Sequence, residues 1–196
     1  QTAVNHFVIN FLMATRPQVI KSFAEHNYER MYSLTFKSAR YSFFLMLALI
    51  LPICFELRFI LNLWLGKATP PDTYVFTLII LLLSLAEVFR VSMIMAFHAI
   101  GKMKLGNSLN GTIMILSLPI SYAILKMGAP AYAVFIVLVI INITVMIDAY
   151  FIVYSYVHFN IRELLVGAVL PCVLVGACSV IVPTAIVYLM EDGWQR

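Results

Sequence analysis

Residues 16–40 read RPQVIKSFAEHNYERMYSLTFKSAR, and residues 41–65 continue YSFFLMLALILPICFELRFILNLWL. The first run carries Arg16, Lys21, Arg30, Lys37 and Arg40 against only Glu25 and Glu29. The second is apolar over the roughly 20 residues that a helix needs to cross a bilayer. Positive charge beside a membrane-length apolar stretch marks the cytoplasmic side. This junction therefore sets both the class of the chain and its orientation.

Composition points the same way. Of 196 residues, 63% are hydrophobic and 11% charged, with a mean hydropathy of +0.97. A soluble domain carries roughly 25% charged residues. The net charge of +4 is small and sits in loops, which reads as topology and contact with anionic lipid, with no nucleic-acid partner. Cys54, Cys172 and Cys178 all lie in apolar runs without metal-ligand spacing, and read as small buried hydrophobes.

Outward from the junction, residues 3–15 are apolar but too short to span. They read as a partial transmembrane helix ended by Pro17, and the chain reads as a fragment of a larger membrane protein. Full spans are expected over 41–65, 73–98, 107–125, 131–156 and 164–190, with kinks near Pro52 and Pro119. Their helix length and lack of alternating strands exclude a β-barrel. The fold expected is a single all-α, polytopic transmembrane bundle over 1–196. The connector 16–40 reads as an amphipathic elbow on the inner leaflet, with Asn27 capping its second piece. A second reading adds recognition of a phosphate-bearing lipid by Arg16, Lys21, Arg30, Lys37 and Arg40. Counting loops alternately, the connector's side holds those five with Lys102, Lys104 and Arg162, and the other side holds Lys67, Lys126 and Arg196. That bias places the connector in the cytoplasm.

No catalytic pattern is present, so no enzyme activity and no cofactor are expected. His6, His26, His98 and His158 are scattered near helix ends and suggest no metal site. Charges inside spans are the sharper signal, because they are expensive there and usually face a cavity or a partner. Glu87 and Arg90 share one face of the second span at i, i+3. They are either a self-neutralising pair or part of a cavity lining. Glu56 and Arg58 sit near the far end of the first span, where Arg58 can snorkel outward. Asp148 can accept a proton, pair with a base or bind a cation, and Asn142 suits a helix–helix hydrogen bond. Asn107, Ser108 and Asn110 are suited to capping the third span.

Thr15-Arg16-Pro17, Phe23-Ala24-Glu25-His26-Asn27, Met31, Ser38-Ala39-Arg40, Leu51-Pro52 and Ile60-Leu61-Asn62-Leu63-Trp64-Leu65-Gly66 occur in that order. With Ala99-Ile100-Gly101-Lys102-Met103-Lys104, this pattern resembles the polysaccharide transporter branch of the multidrug/oligosaccharidyl-lipid/polysaccharide exporter superfamily, which includes the Wzx-type O-antigen flippases. His26 departs from it, since Gly is common there. The resemblance implies one lobe of a MATE-like two-lobed transporter, with an N-terminal lobe as its partner. It implies flipping of an undecaprenyl-pyrophosphate-linked oligosaccharide across a bacterial inner membrane by alternating access. Membrane lipids and a coupling ion, proton or sodium, are further partners. An ion-coupled multidrug exporter or lipid II flippase remains open, as does a membrane polysaccharide polymerase or acyltransferase. Arg58, Glu87, Arg90, Asp148 and Asn142 are the cavity candidates, chosen from the cost of burying them.

Overall fold

The first helix, α1 (Thr2–Ala24), runs straight through Pro17. This corrects the expected break after residue 15. A mid-helix proline costs about 3 kcal/mol, but the turn beyond it buries Val19 and Ser22 completely or nearly so against the bundle. Tertiary burial outweighs the local penalty. The break falls instead at residues 25–27, where two caps interlock. His26 takes a left-handed backbone, φ 55°. The amide of Asn27 bonds to the carbonyl of Ser22 at 2.9 Å, and that of His26 to Phe23 at 3.0 Å. This pairing is a Schellman stop. Asn27 then caps the next helix, as its sequence suggests, its Oδ1 accepting from the Arg30 amide at 3.0 Å.

The computed structural model describes residues 2–66, 70, 72–101, 103–157 and 161–181. After the turn come α2 (Tyr28–Phe55) and α3 (Leu57–Leu65), divided at Glu56. The connector is therefore no separate elbow. It is the facing ends of two long helices in a hairpin. At 1.5 Å per residue α2 is about 42 Å long, against roughly 30 Å for a hydrocarbon layer. The interruption at Glu56 comes one turn after Pro52. Trp64, next to last in α3, is almost fully exposed.

α4 (Thr73–Ala99) matches the expected second span closely. The third span is two pieces, α5 (Met103–Ile115) and α6 (Ser117–Lys126). The break precedes Pro119, whose missing amide leaves the Ile115 carbonyl without its helical donor. Because α5 starts at Met103, Asn107, Ser108 and Asn110 lie inside it and do not cap it. Asn107 Oδ1 lies 3.2 Å from His98 Nε2 instead. A second Schellman stop ends α6. Gly128 has φ 88°, Gly128 bonds to Leu125 at 3.0 Å, and Ala129 to Ile124 at 3.3 Å. α7 (Ala133–Val157) follows. The last helix opens as α8 (Ile161–Leu164) and passes through a π-helical turn, Leu165–Val169. The later part of the fifth span, with Pro183, lies outside the described residues, as do Lys67, Lys102, His158 and Arg196.

Among the described residues, five stretches have the length and hydropathy of a membrane span: Tyr28–Phe55, Thr73–Ala99, Gly106–Lys126, Ala133–Val157 and Arg162–Ile181. The chain is an all-α polytopic bundle of a multi-pass membrane protein, and no strand occurs among the described residues. α4 is its central member, packing against α1, α2 and α7. One core joins Val19, Met31, Met93, Phe97, Ala149 and Val153. A second joins Val8, Phe43, Met46, Leu81, Val88 and Cys172. Cys178, by contrast, faces outward. Buried hydroxyls bond back to their own helices, Thr35 to Met31, Ser84 to Ile80 and Ser92 to Val88. Without water, a span must satisfy its polar groups internally, and these small residues also let helices approach closely.

Candidate functional site

The charged pair on α4 is closed. Arg90 Nη2 donates to Glu87 Oε1 at 2.7 Å. The two side chains keep only 15% and 27% of their surface exposed, so the pair lies within the bundle wall. Arg90 Nε finds no hydrogen-bond partner among the described residues. Glu87 borders a gap between α1, α2 and α4 next to Leu12, Met46 and Ser84. Its volume is about 10 Å³, too small for more than a water.

The other intramembrane candidates do not join this pair. Arg58 lies over the Tyr74 ring at 5.3 Å from its centroid, a cation–π contact that holds it at the far end of the bundle. Asn142 does not bridge helices as expected. Its Nδ2 donates back to the Leu138 carbonyl at 2.9 Å, and its buried Oδ1 has no partner among the described residues. Asp148 Oδ2 is also buried without a hydrogen bond among the described residues. The five candidates thus form one ion pair and three separate sites.

The connector cations divide in the same way. Lys21 pairs with Glu25 at 3.7 Å, and Arg16 reaches the Met13 sulfur at 4.0 Å. Arg30 is exposed. Lys37 and Arg40 instead enter a cleft of about 730 Å³ between α2 and the last helix. On α2 it is lined by Glu29, Tyr32, Ser33, Phe36, Lys37 and Arg40, which is one continuous helix face at i, i+3, i+4 spacing. Arg162, Glu163, Val166 and Gly167 form the opposite wall. The Tyr32 hydroxyl donates to the Val157 carbonyl and ties α2 to the end of α7. Arg40 also lies over the Tyr41 ring, 5.4 Å from its centroid.

Sequence reasoning did not find this cleft. The α2 stripe is readable in the spacing, but Arg162 and Glu163 lie more than a hundred residues away and meet it only through tertiary packing. Among the described residues no group of three His, Cys, Asp or Glu side chains could hold a metal ion. No family model, no curated protein and no solved structure matches the chain.

Proposed function

We propose that this chain is one lobe of a MATE-like membrane transporter that flips a lipid-linked oligosaccharide across a bacterial inner membrane by alternating access, with residues 25–27 on the cytoplasmic side. The observation that carries the reading is the Glu87–Arg90 pair, held inside an apolar bundle with Arg90 Nε unsatisfied among the described residues. A charge kept in a span at a cost of several kcal/mol is retained for a pathway or a partner. In such a transporter the pair opens when the lobes rock, and the guanidinium then meets the pyrophosphate of the substrate. The sequence pattern supports the same reading. Gly is common in the resembled family where this chain has His26, and that position requires a left-handed backbone.

Asp148 favours a second reading within the same superfamily. A buried carboxylate oxygen without a hydrogen-bond donor among the described residues suits a proton-coupled exporter of smaller substrates. Arg90→Gln in the full-length protein separates the two. The flippase reading expects loss of surface polysaccharide at unchanged protein level. Normal surface glycan removes Arg90 from the mechanism. The double reversal Glu87→Arg with Arg90→Glu tests whether the pair is only structural. A structural pair regains folding and glycan export on reversal, whereas a substrate-facing arginine regains folding alone.

A further inference from the structure

We infer that the cleft between α2 and the last helix seats the phosphodiester headgroup of a membrane lipid carrying one net negative charge. The site is separate from the Glu87–Arg90 pair and stands whether or not the chain flips a glycan lipid.

Depth comes first. Arg40 is the last charge on α2 before the uncharged run of residues 41–55. Arg162 and Glu163 are the last charges before the uncharged run of residues 164–181. Both walls therefore change from charged to apolar where the cleft lies, which is headgroup depth in a bilayer. The chemistry fits that depth. Lys37, Arg40 and Arg162 face Glu29 and Glu163, a balance of three cations against two carboxylates, or one net positive charge. A monoanionic phosphodiester neutralises it. A pyrophosphate would bring more negative charge than the cleft offsets, so the occupant differs from the glycan-carrying lipid.

Order along the stripe separates a lipid from a soluble anion. Glu29 lies at the outer end of α2, then the hydroxyls of Tyr32 and Ser33, then Phe36, Lys37 and Arg40 toward the apolar run. At about 1.5 Å per residue the stripe is roughly 16 Å long. Its cations are at the membrane end and its carboxylate at the wet end. A free phosphate would meet the carboxylate first. A lipid entering from the bilayer meets Lys37, Arg40 and Arg162 with Glu163 alone opposing them, a net of two positive charges, and its glycerol and upper chain carbons lie against Phe36, Val166 and Gly167. The π-helical turn supplies part of this wall, and such turns recur at functional sites. Gly167 keeps the wall open. A Cβ there would meet Phe36 Cδ2 only at 3.8 Å, so packing does not demand glycine.

The test is a binding titration on the full chain in detergent micelles, with native mass spectrometry counting bound lipid. Phosphatidylglycerol and phosphatidylcholine of equal chain length are the two lipid arms, and inorganic phosphate is the competitor. Phosphatidylglycerol is expected to bind at least about tenfold tighter than phosphatidylcholine, and phosphate not to displace it. Lys37→Gln with Arg162→Gln should lose about tenfold in phosphatidylglycerol affinity, both side chains being exposed. Gly167→Leu keeps every charge, fills the apolar wall and should also lose binding. Lys126→Gln, outside the cleft at the end of α6, should change nothing. Should the double variant fail to fold, Lys37→Gln alone gives the same reading at smaller size. Equal affinity for the two lipids, or wild-type binding by the cleft variants, overturns the proposal. Displacement by phosphate at matching affinity overturns the lipid as occupant.

Discussion

Gly106 should not tolerate a single added methyl group. It sits in the second turn of α5, against the end of α4. A Cβ built there lies 2.3 Å from Cε2 and 2.5 Å from Cζ of the Phe97 ring. Carbon atoms in contact prefer about 3.5–4.0 Å, so the ring must retreat by roughly 1 Å. It has nowhere to go, because Phe97 is 0% exposed within the core it shares with Met93, Ala149 and Val153. Overpacking of this kind costs about 1–3 kcal/mol, and two sub-contact distances place Gly106→Ala in the upper half of that range. Alanine returns about 1 kcal/mol as a better helix former than glycine. The net expectation is a loss of about 1–2 kcal/mol. Thermal unfolding in detergent, followed by circular dichroism, should show a midpoint several degrees lower. Phe97→Leu made in the same chain gives the ring's space back, so the double variant should be more stable than the sum of the two single losses. A Gly106→Ala protein as stable as the parent, or strictly additive effects, would refute the close approach of α4 and α5.

The hairpin between α1 and α2 gives two opposite expectations. His26→Gly removes a left-handed non-glycine residue, which costs about 1–2 kcal/mol. It gives up only an exposed contact between His26 Nδ1 and the Tyr28 hydroxyl at 3.0 Å, so it should stabilise the chain by about 1 kcal/mol in the same unfolding assay. A lower midpoint would contradict the strain. Asn27→Ala removes the cap on the Arg30 amide and should destabilise by about 1 kcal/mol; no change would mean that water caps α2 equally well. Tyr32→Phe deletes the hydroxyl that donates to Val157 and should cost about 0.5–1.5 kcal/mol. It should also speed hydrogen exchange at the end of α7, and unaltered exchange there would show that α7 holds its end without the tether.

Span positions were legible because composition alone drives them. The run 73–98 has no proline, glycine or turn residue inside it, and α4 (Thr73–Ala99) ends within one residue of the reading. Asn27 was legible as a cap because its short polar side chain reaches the third following amide by local geometry alone. Pro17 misled because its penalty is local and visible, whereas the burial of Val19 and Ser22 that overrides it comes from residues distant in sequence. Asn107 and Ser108 misled for a related reason. They are good capping types, but α5 had already begun at Met103, just after the Gly101 turn with φ 81°. The Glu87–Arg90 contact followed from i, i+3 spacing, while the placing of the others did not: Asn142 turns back on Leu138 of its own helix, and Arg58 meets Tyr74 only because α3 and α4 pack together.

The basic residues show where a compositional explanation ends. Topology asks only that Lys and Arg lie on one side of the bilayer, and it is indifferent to which helix face carries them. It accounts equally for Lys21, which closes on Glu25 within its own helix, and for Lys37, which lines the cleft. It gives no reason for Lys37 and Arg40 to continue the stripe begun by Glu29, Tyr32, Ser33 and Phe36, or for Arg162 to meet that stripe from another helix. Solvation at the interface would let these cations spread apart, which lowers their mutual repulsion. Their convergence around an apolar-walled cleft costs repulsion that two carboxylates offset only in part, so a net positive charge is left at headgroup depth. An anion held between the walls removes that cost, and the bilayer supplies one at that depth without any further partner.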